Sequence, residues 1–449
     1  MRTYFEALHQ SLEYQYSQCN CESCQRERLK LTKKEENNDF KKLLKNFETA
    51  FKTLFERKGY KPEDLLKVPE FKKVVEETAQ VFSSAIPHET PSEMKAYLEK
   101  DAFIFSGLKT HAQLTEARSY LKDDNGHIVP FSKFQEKVLK LNERYNQHYL
   151  EAEYQFAVHS AQSAANWANL QEDTSRYWLE YRTAGDEKVR AQHQALNGIC
   201  LPKDDDFWTE YYPPNGWRCR CIAIEVLARE KNLSDSKKAQ ELGEKATTHI
   251  APNGKNKLQM FRFNPGKEQK IFPPQNSYKP KFCSNGKTTL SGYSQILLSL
   301  EDERCKAEKI LTEETEKSLS RRLRKVKDAE LNEWRQKYIP ADIGIVLKGK
   351  QFKNNQIIIN RKSAKDVYSH FTEPKLKDLV KDIVTITKKG QFKMESPIDP
   401  KSHNYEKKMR AGYESYRYYT TQHKGFNIRI NTAMIKGEEF LYSLNLTEF

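Results

Sequence analysis

The most informative stretch of the chain runs from residue 174 to residue 221 and reads TSRYWLEYRTAGDEKVRAQHQALNGICLPKDDDFWTEYYPPNGWRCRC. Arg190 and His193 stand three positions apart, which places both side chains on one face of a short helix. We expect Thr183 or Asp186 to cap this helix, because short polar side chains accept hydrogen bonds from the first backbone amides. The first half of the stretch therefore predicts a short, capped helix.

The second half of the stretch predicts a rigid turn followed by a cysteine pair. Gly198 stands where the helix can end. A Pro-Pro-Asn-Gly sequence at residues 213–216 then fixes a turn that presents Trp217. Cys219 and Cys221 follow, separated by one residue.

Together these motifs resemble the Mu F-like minor head protein family of tailed bacteriophages and prophages. The resemblance rests on a Trp before Arg-Thr-Ala-x-Asp, an Arg-x-x-His helix, a Leu-x-Gly turn, a loop ending in Phe-Trp, and Pro-Pro-x-Gly-Trp-x-Cys-x-Cys. The matching residues are Trp178, Arg182, Asp186, Arg190, His193, Gly198, Trp208, Pro214, Trp217, Cys219 and Cys221. Farther on, MFRFNPGKEQKIFPP at residues 260–274 resembles the connector that follows this domain in many members.

The resemblance implies a function in the phage head. Family members are minor capsid proteins that are associated with the portal inside the head and are needed for head assembly or DNA entry. The expected partners are the portal and other capsid proteins, and the expected location is the bacterial cytoplasm during assembly and then the virion head. The resemblance implies no catalysis by this domain.

Four residues of the stretch have side chains suited to a metal. His193, Cys219 and Cys221, with Cys200 as a further candidate, offer the imidazole and thiolate ligands that Zn²⁺ takes in tetrahedral sites. The alternative is that His193 forms hydrogen bonds within the fold and that the thiols pack as small apolar groups. No cofactor is required by the family resemblance, so zinc is the one cofactor hypothesis that the sequence raises.

The remaining cysteines do not suggest a secreted disulfide framework. Three of them form an amino-terminal cluster with one Cys-x-x-Cys pair and no obvious fourth metal ligand, namely Cys19, Cys21 and Cys24. Cys283 and Cys305 stand alone. Such uneven clustering argues against a disulfide-stapled protein.

Length and composition exclude a single compact enzyme. The chain has 449 residues, a hydrophobic fraction of 37% and a net charge of +14, from 76 basic and 62 acidic residues. Several domains and much solvated surface are expected. The first residues lack a signal peptide, and no run of about 18 apolar residues occurs, so we expect a soluble protein with no membrane partner.

The pattern along the chain predicts a multidomain fold: a mainly α-helical amino-terminal and Mu F-like region, an extended and helical linker, and a small α+β domain. Helical periodicity occurs over residues 39–85, 91–108 and 132–170. Pro and Gly breakers between about residues 226 and 285 indicate a surface-following connection, and a charged helix precedes Pro340. The four predicted regions are a helical region 1–130, a Mu F-like domain 131–225, a polar linker with a long helix 226–338, and a basic α+β domain 339–449.

The last region alternates predicted strands with helices. Runs rich in β-branched and aromatic residues indicate strands at residues 343–347, 356–360, 383–387, 416–421, 426–430 and 439–444. Helices are predicted over residues 362–380 and 403–412. Residues 340–449 hold 20 Lys and Arg against 12 Asp and Glu, a net of +8, and tyrosines lie between the basic residues. Such a surface suits nucleic acid.

The order of elements in this region resembles the phage-borne nuclease-like domains of the barnase, EndoU, colicin and RelE group. This resemblance implies a metal-independent, tRNase-like RNA cleavage, which needs a base, an acid and a cation. The candidate catalytic residues are His423, Arg429 and His370. A hairpin turn at Lys424 and Gly425 would allow His423 and Arg429 to share one sheet face.

Two functions therefore remain open for a head protein of this kind. One adds an effector RNase, and the other is purely structural, with a basic domain that binds DNA or the portal. Peptidase and nucleotide-dependent chemistry find no support, because Gly-x-Ser-x-Gly, His-Glu-x-x-His and Gly-x-x-x-x-Gly-Lys motifs are missing from the sequence.

Overall fold

The fold divides into two units within the long charged helix, Met1–Leu323 and Arg324–Phe449. A computed structural model describes residues 2–16, 38–171, 173–251, 254–283, 295–341, 344–370, 378–402 and 404–446. The Cys19, Cys21 and Cys24 cluster lies outside the described residues, and so does the side chain of His370.

Helices make up most of the first unit. They are α1 (Arg2–Tyr16), α2 (Asn38–Glu56), α3 (Pro69–Ser83), α4 (Ser92–Ser119), α5 (Phe131–Glu143), α6 (Leu150–Ala168), α7 (Ala191–Gln194), α8 (Phe207–Glu210), α9 (Ser236–Ala246) and α10 (Pro265–Glu268). A six-residue π-helical turn joins α5 to α6. The predicted helical periods are thereby confirmed, with a break between α2 and α3 that the periodicity alone did not show. The charged helix α11 (Gln295–Tyr338) also matches its prediction, and the boundary between the units falls within it.

The core of the first unit forms where apolar faces of these helices meet. The hydrophobic positions of α2 recur every three or four residues, and Leu43, Phe47 and Leu54 are fully buried. A pair of opposite charges is buried inside this core: the Lys109 ammonium lies against the Glu153 carboxylate, and Tyr278 donates a 2.8 Å hydrogen bond to the same carboxylate. Such pairing is what allows charges to be buried at all.

The segment after the family motif belongs to this core, which corrects the expectation of a surface connection over residues 226–285. Phe272 stacks on Phe105 of α4 with ring centroids 3.6 Å apart. The Asp101 carboxylate, also on α4, accepts backbone hydrogen bonds from Ile271 and Phe272 at 2.9 and 2.8 Å. The Pro and Gly residues do bend the chain, but the aromatic side chains between the bends are buried in the core of the first unit.

A disulfide closes this segment against the long helix. Cys283 bonds to Cys305 of α11, so the expectation that these two cysteines stand alone is wrong. Their separation of 22 residues gave no motif by which the pairing could be recognised.

A three-stranded antiparallel sheet interrupts the helices, although the sequence predicted a mainly helical region. Its strands are β1 (Tyr177–Arg182), β2 (Cys200–Pro202) and β3 (Ile222–Leu227), in the order β2-β1-β3. Leu179 faces Leu201 on one side and Glu225 on the other. The alternation of Tyr177, Leu179 and Tyr181 was the period-two signal for β1.

The second unit is a six-stranded sheet with helices against it. The strands are β4 (Ile345–Lys348), β5 (Gln356–Ile359), β6 (Gln391–Pro397), β7 (Tyr413–His423), β8 (Phe426–Ile435) and β9 (Glu438–Leu446). The order is β4-β5-β9-β8-β7-β6, and only the β5–β9 pair is parallel in this sheet. The helices are α12 (Arg361–His370), α13 (Ile383–Lys388) and α14 (Tyr405–Arg410).

One predicted strand of this unit is wrong. Residues 383–387 form α13, and the outer strand is β6, which the sequence did not indicate. Ile383 and Ile386 are three positions apart and both buried, so a helical face explains the β-branched run. β6 escaped recognition because most of its side chains face solvent. In the described ranges, no helix is long and apolar enough to span a bilayer.

Candidate functional site

The motif residues converge on a buried cluster of two thiols and one imidazole. His193 lies in α7, and Cys219 and Cys221 lie in the extended segment that enters β3. His193 Nδ1 is 3.5 Å from Cys219 Sγ and 3.7 Å from Cys221 Sγ. All three side chains are at most 4% exposed, and one ligand atom from each lies within 4.8 Å of the other two.

Alternation along the backbone aims the two thiols the same way. In an extended segment, residues i and i+2 point to one side and residue i+1 to the other. Arg220, between the cysteines, points away and forms two 2.7 Å hydrogen bonds with the Asp186 carboxylate. These bonds hold the pKa of Asp186 at about 2, below its usual range. Asp186 therefore anchors the cysteine segment and does not cap α7, which corrects one of the two capping expectations.

Thr183 does not cap the helix either. Its hydroxyl lies 3.3 Å from the Gln194 side-chain oxygen and 3.2 Å from that of Asn197. The residue at the start of α7 is Arg190, which makes no side-chain capping bond. Arg190 instead donates a 2.6 Å hydrogen bond to the Trp217 carbonyl. Arg190 and His193 thus both face the cysteine segment. Arg190 is extended and precedes α7, so the two residues do not share a helix face as predicted.

The electrostatics of the cluster make the two thiols unequal. A hydrogen bond from Cys221 holds the pKa of Cys219 well below its usual value, and the nearby His193 and Arg190 act in the same direction against burial. The same hydrogen bond, together with burial, raises the pKa of Cys221. The cluster therefore favours loss of the proton from Cys219 before Cys221.

The Pro-Pro-Asn-Gly turn is fastened to β1. The Pro213–Pro214 peptide bond is cis. Tyr181, fully buried in β1, donates a 2.9 Å hydrogen bond to the Asn215 side chain. At Gly216 a Cβ atom would lie 3.0 Å from the Arg190 guanidinium, so glycine allows that close approach. Tyr181 and Asn215 were not among the predicted site residues, although both lie within the motif stretch.

The other motif residues fill structural positions around the cluster. The Gly198 amide donates to the Tyr181 carbonyl at 2.8 Å, with Gly198 at a φ of 84°. Trp217 packs against Phe156 and Phe261 at 4.9 and 5.3 Å. Trp178 pairs with neighbouring residues on both sides of β1, and Arg182 bonds to Glu180 at 2.9 Å.

The connector motif is tied to the same region. Asn264 donates a 2.8 Å hydrogen bond to the carbonyl of the buried Trp208, and its oxygen accepts from the amides of Gly266 and Lys267. A Cβ atom at Gly266 would lie 2.2 Å from Trp167 Cβ. Asn264 thus caps the short helix α10, and Gly266 leaves room for Trp167.

Cys200 does not join the cluster. It lies in β2 opposite Glu180, and its backbone amide donates to the Ser234 hydroxyl at 2.9 Å. Burial raises the pKa of its thiol. The metal-ligand candidates that the structure brings together are therefore His193, Cys219 and Cys221.

In the second unit, His423 and Arg429 lie on opposite faces of the sheet. The predicted hairpin turn at Lys424 and Gly425 is confirmed, with positive φ at both residues. This turn pairs His423 with Phe426 and Thr420 with Arg429. Because 420 and 423 differ by an odd number, the two candidate side chains point in opposite directions. The expectation of a shared face is wrong. His370 is the last residue of α12.

Each of these two residues has a definite partner. His423 Nε2 lies 2.9 Å from the Asp382 carboxylate, which also contacts Lys424. The Arg429 guanidinium lies over the Tyr418 ring, 5.7 Å from its centroid.

A larger polar cluster in this unit was not predicted. The buried Glu439 carboxylate accepts hydrogen bonds from Arg417, Tyr419 and Thr432 at 2.7, 2.7 and 2.6 Å. Glu395 lies on the other side of Arg417, 3.3 Å away. These residues lie on the four neighbouring strands β6 to β9, so strand register and not local spacing brings them together.

Residues 129–224 match the family described as Phage Mu protein F like protein. This segment, which contains the cluster and most of its supporting sheet, is similar to the F proteins of Mu-like phages. The Mu-like prophage FluMu F protein of Haemophilus influenzae is 40% identical over 72 residues, which is 16% of each chain. The putative capsid assembly protein F of Escherichia phage Mu is 36% identical over 83 residues, which is 18% of this chain and 19% of that protein.

The similarity is local. The chain spans less than a fifth of the length of these curated relatives. No solved structure matches the chain.

Proposed function

We propose that the chain is a minor capsid protein that acts in head assembly or DNA entry, near the portal. The observation that carries this proposal is the Mu F-like segment itself. Its motif residues contact one another, since Arg220 bonds to Asp186 and Cys219 lies against His193. The similar protein of phage Mu is described as a putative capsid assembly protein. The partners would be the portal and other head proteins, in the host cytoplasm first and in the virion head afterwards.

Loss of the chain tests this proposal. In a lysogen that encodes it, an early stop codon is expected to reduce infectious particles by at least tenfold and to leave heads empty or malformed in electron micrographs. Expression of the wild-type chain from a plasmid is expected to restore both. A normal yield of DNA-filled heads without the chain would refute the proposed role.

For the second unit, we propose that its function is to bind nucleic acid. The charge of +8 over residues 340–449 gives the attraction. One sheet face also places cations over aromatic rings: Arg429 lies over Tyr418, and Lys408 lies over Tyr416 at 5.2 Å. Arginine and tyrosine side chains offer flat surfaces on which bases stack. In this version of the proposal the unit binds DNA or RNA and does not cleave it.

The second candidate function is RNA cleavage. The observation that favours it is the His423–Asp382 pair, because a carboxylate at 2.9 Å orients an imidazole for proton transfer. The same contact also has a purely structural explanation, since Asp382, His423 and Lys424 together hold the hairpin turn.

One assay separates the two functions. Purified full-length chain is incubated with tRNA and ribosomal RNA, and cleavage and binding are measured together. A catalytic unit would cleave RNA, and His423→Ala would abolish cleavage while His127→Ala, an exposed control in the other unit, would not. A binding unit would leave RNA intact, and Arg429→Ala would weaken binding and reduce its salt dependence. If the chain neither cleaves RNA nor binds it in a salt-dependent way, both proposed functions are refuted.

A further inference from the structure

We propose that His193, Cys219 and Cys221 bind one Zn²⁺ ion inside the Mu F-like segment. The three side chains are buried, converge on one point and come from two different elements. This site is independent of the proposed function, because it concerns how the segment is held together.

The distances within the cluster fit a tetrahedral ion. With Zn–S bonds of about 2.3 Å and Zn–N bonds of about 2.0–2.1 Å, tetrahedral angles separate a nitrogen from a sulfur by ~3.5 Å. The observed separations from His193 Nδ1 to the two sulfurs are 3.5 and 3.7 Å. A single hydrogen bond explains one such contact, because a ring nitrogen has either one hydrogen or one lone pair. An ion between the three atoms explains both contacts.

Charge balance also fits. Two thiolates, a neutral imidazole and Zn²⁺ sum to zero, which is the arrangement a buried site requires. Thiolate and imidazole ligands together select Zn²⁺ over Mg²⁺ or Ca²⁺, which prefer oxygen. In the described part of the chain, no further His, Cys, Asp or Glu has a ligand atom within 4.8 Å of all three. The proposal therefore needs three protein ligands and leaves the fourth coordination position to solvent.

The local fold gives such an ion a structural task. α7 has only four residues and no side-chain cap, so little within the helix itself holds His193 in place. The cysteine segment is extended and joins a rigid turn to β3. A metal bound to both elements would fasten the short helix to the sheet.

Metal content of the purified full-length chain is the first test. All variants are made in a background in which Cys19, Cys21 and Cys24 are serine, so that the amino-terminal cysteines contribute no metal. We expect about one zinc per chain by elemental mass spectrometry. Cys219→Ser/Cys221→Ser is expected to lose it, and Cys200→Ser, a control that also removes a buried free thiol, to keep it.

Cobalt substitution guards against loss of metal through misfolding. Co²⁺ added to the apo-protein is expected to give visible bands typical of tetrahedral coordination and a near-ultraviolet thiolate band. Cys221→His, which keeps a ligand, is expected to retain the visible bands and lose about half of the thiolate band. A folded chain, checked by circular dichroism, that takes up neither Zn²⁺ nor Co²⁺ would overturn the proposal, and so would undiminished zinc in the double serine variant.

Discussion

At the residue scale, the motif residues are held by contacts across the first unit: Asp186 binds Arg220, and Tyr181 binds Asn215. The sequence indicated that Asp186, Arg190 and His193 matter, and it placed the last two on one face. It could not show that Asp186 bonds to Arg220, because the two are 34 positions apart, with α7, β2 and α8 between them. Tyr181 and Asn215 were missed for the same reason, because the role of each depends on the hydrogen bond to the other.

Gly266 gives the sharpest test of packing at this scale. A Cβ atom there would lie 2.2 Å from Trp167 Cβ, which is fixed to the backbone and cannot swing away. Gly266→Ala is expected to destabilise the first unit by about 1–3 kcal/mol. Thermal denaturation followed by circular dichroism measures the shift. Gly59→Ala is the matched control, because nothing lies within 4 Å of its added Cβ. Equal midpoints for the two variants would contradict this packing.

Glu395 predicts an acid sensitivity in the second unit. Hydrogen bonds from Lys353 and Ser415 lower its pKa from 4.5 to about 2. A carboxyl group with a depressed pKa in the folded state stabilises that state above its unfolded pKa, and the contribution is lost as the pH falls from about 5 toward 2. Glu395→Gln is therefore expected to lower stability at pH 7 and to flatten its decline below pH 5. Urea unfolding at pH 7 and at several pH values below 5 measures the free energy of unfolding of both proteins. If that free energy falls with pH as steeply in the variant as in the wild type, the pairing of Glu395 is contradicted.

At the element scale, long periodic helices and β-branched runs were predictable, and short or exposed elements were not. Helix α11 was recognised from charge and from the proline after it, and β7, β8 and β9 from their composition. The strand β6 carries mostly exposed side chains, so it has no apolar alternation. Residues 226–285 were wrongly predicted to lie on the surface, because their Pro and Gly residues received more weight than the aromatic residues between them.

The β7–β8 hairpin depends on its turn. Lys424 and Gly425 have φ values of 48° and 79°, a left-handed pair that a two-residue hairpin requires. Gly425→Ala is expected to cost about 1 kcal/mol of folding free energy through the backbone alone, because no atom lies within 4 Å of the added Cβ. Denaturant unfolding measures the difference. The register of residues 413–435 should stay unchanged, and a stabilised variant would show that the turn is not left-handed.

At the scale of the whole molecule, length and composition were enough to predict a multidomain protein but not where it divides. The predicted linker contributes Phe272 and Tyr278 to the core of the first unit, so the described part of residues 226–283 is not a separate spacer. Composition could not reveal this, because burial of a segment depends on partners such as Phe105 that precede it by more than a hundred residues. The basic charge of the second unit was visible in the sequence, whereas the opposite faces of His423 and Arg429 required the strand register.

The most direct test of the head-protein account is the location of the chain within particles. Heads and tails from an induced lysogen are separated by density and analysed by quantitative mass spectrometry against the portal and major capsid proteins. The account predicts that the chain is found with the heads, at a few copies for each portal, and that tails lack it. A chain that is missing from purified heads, while the portal protein is present, would contradict the account.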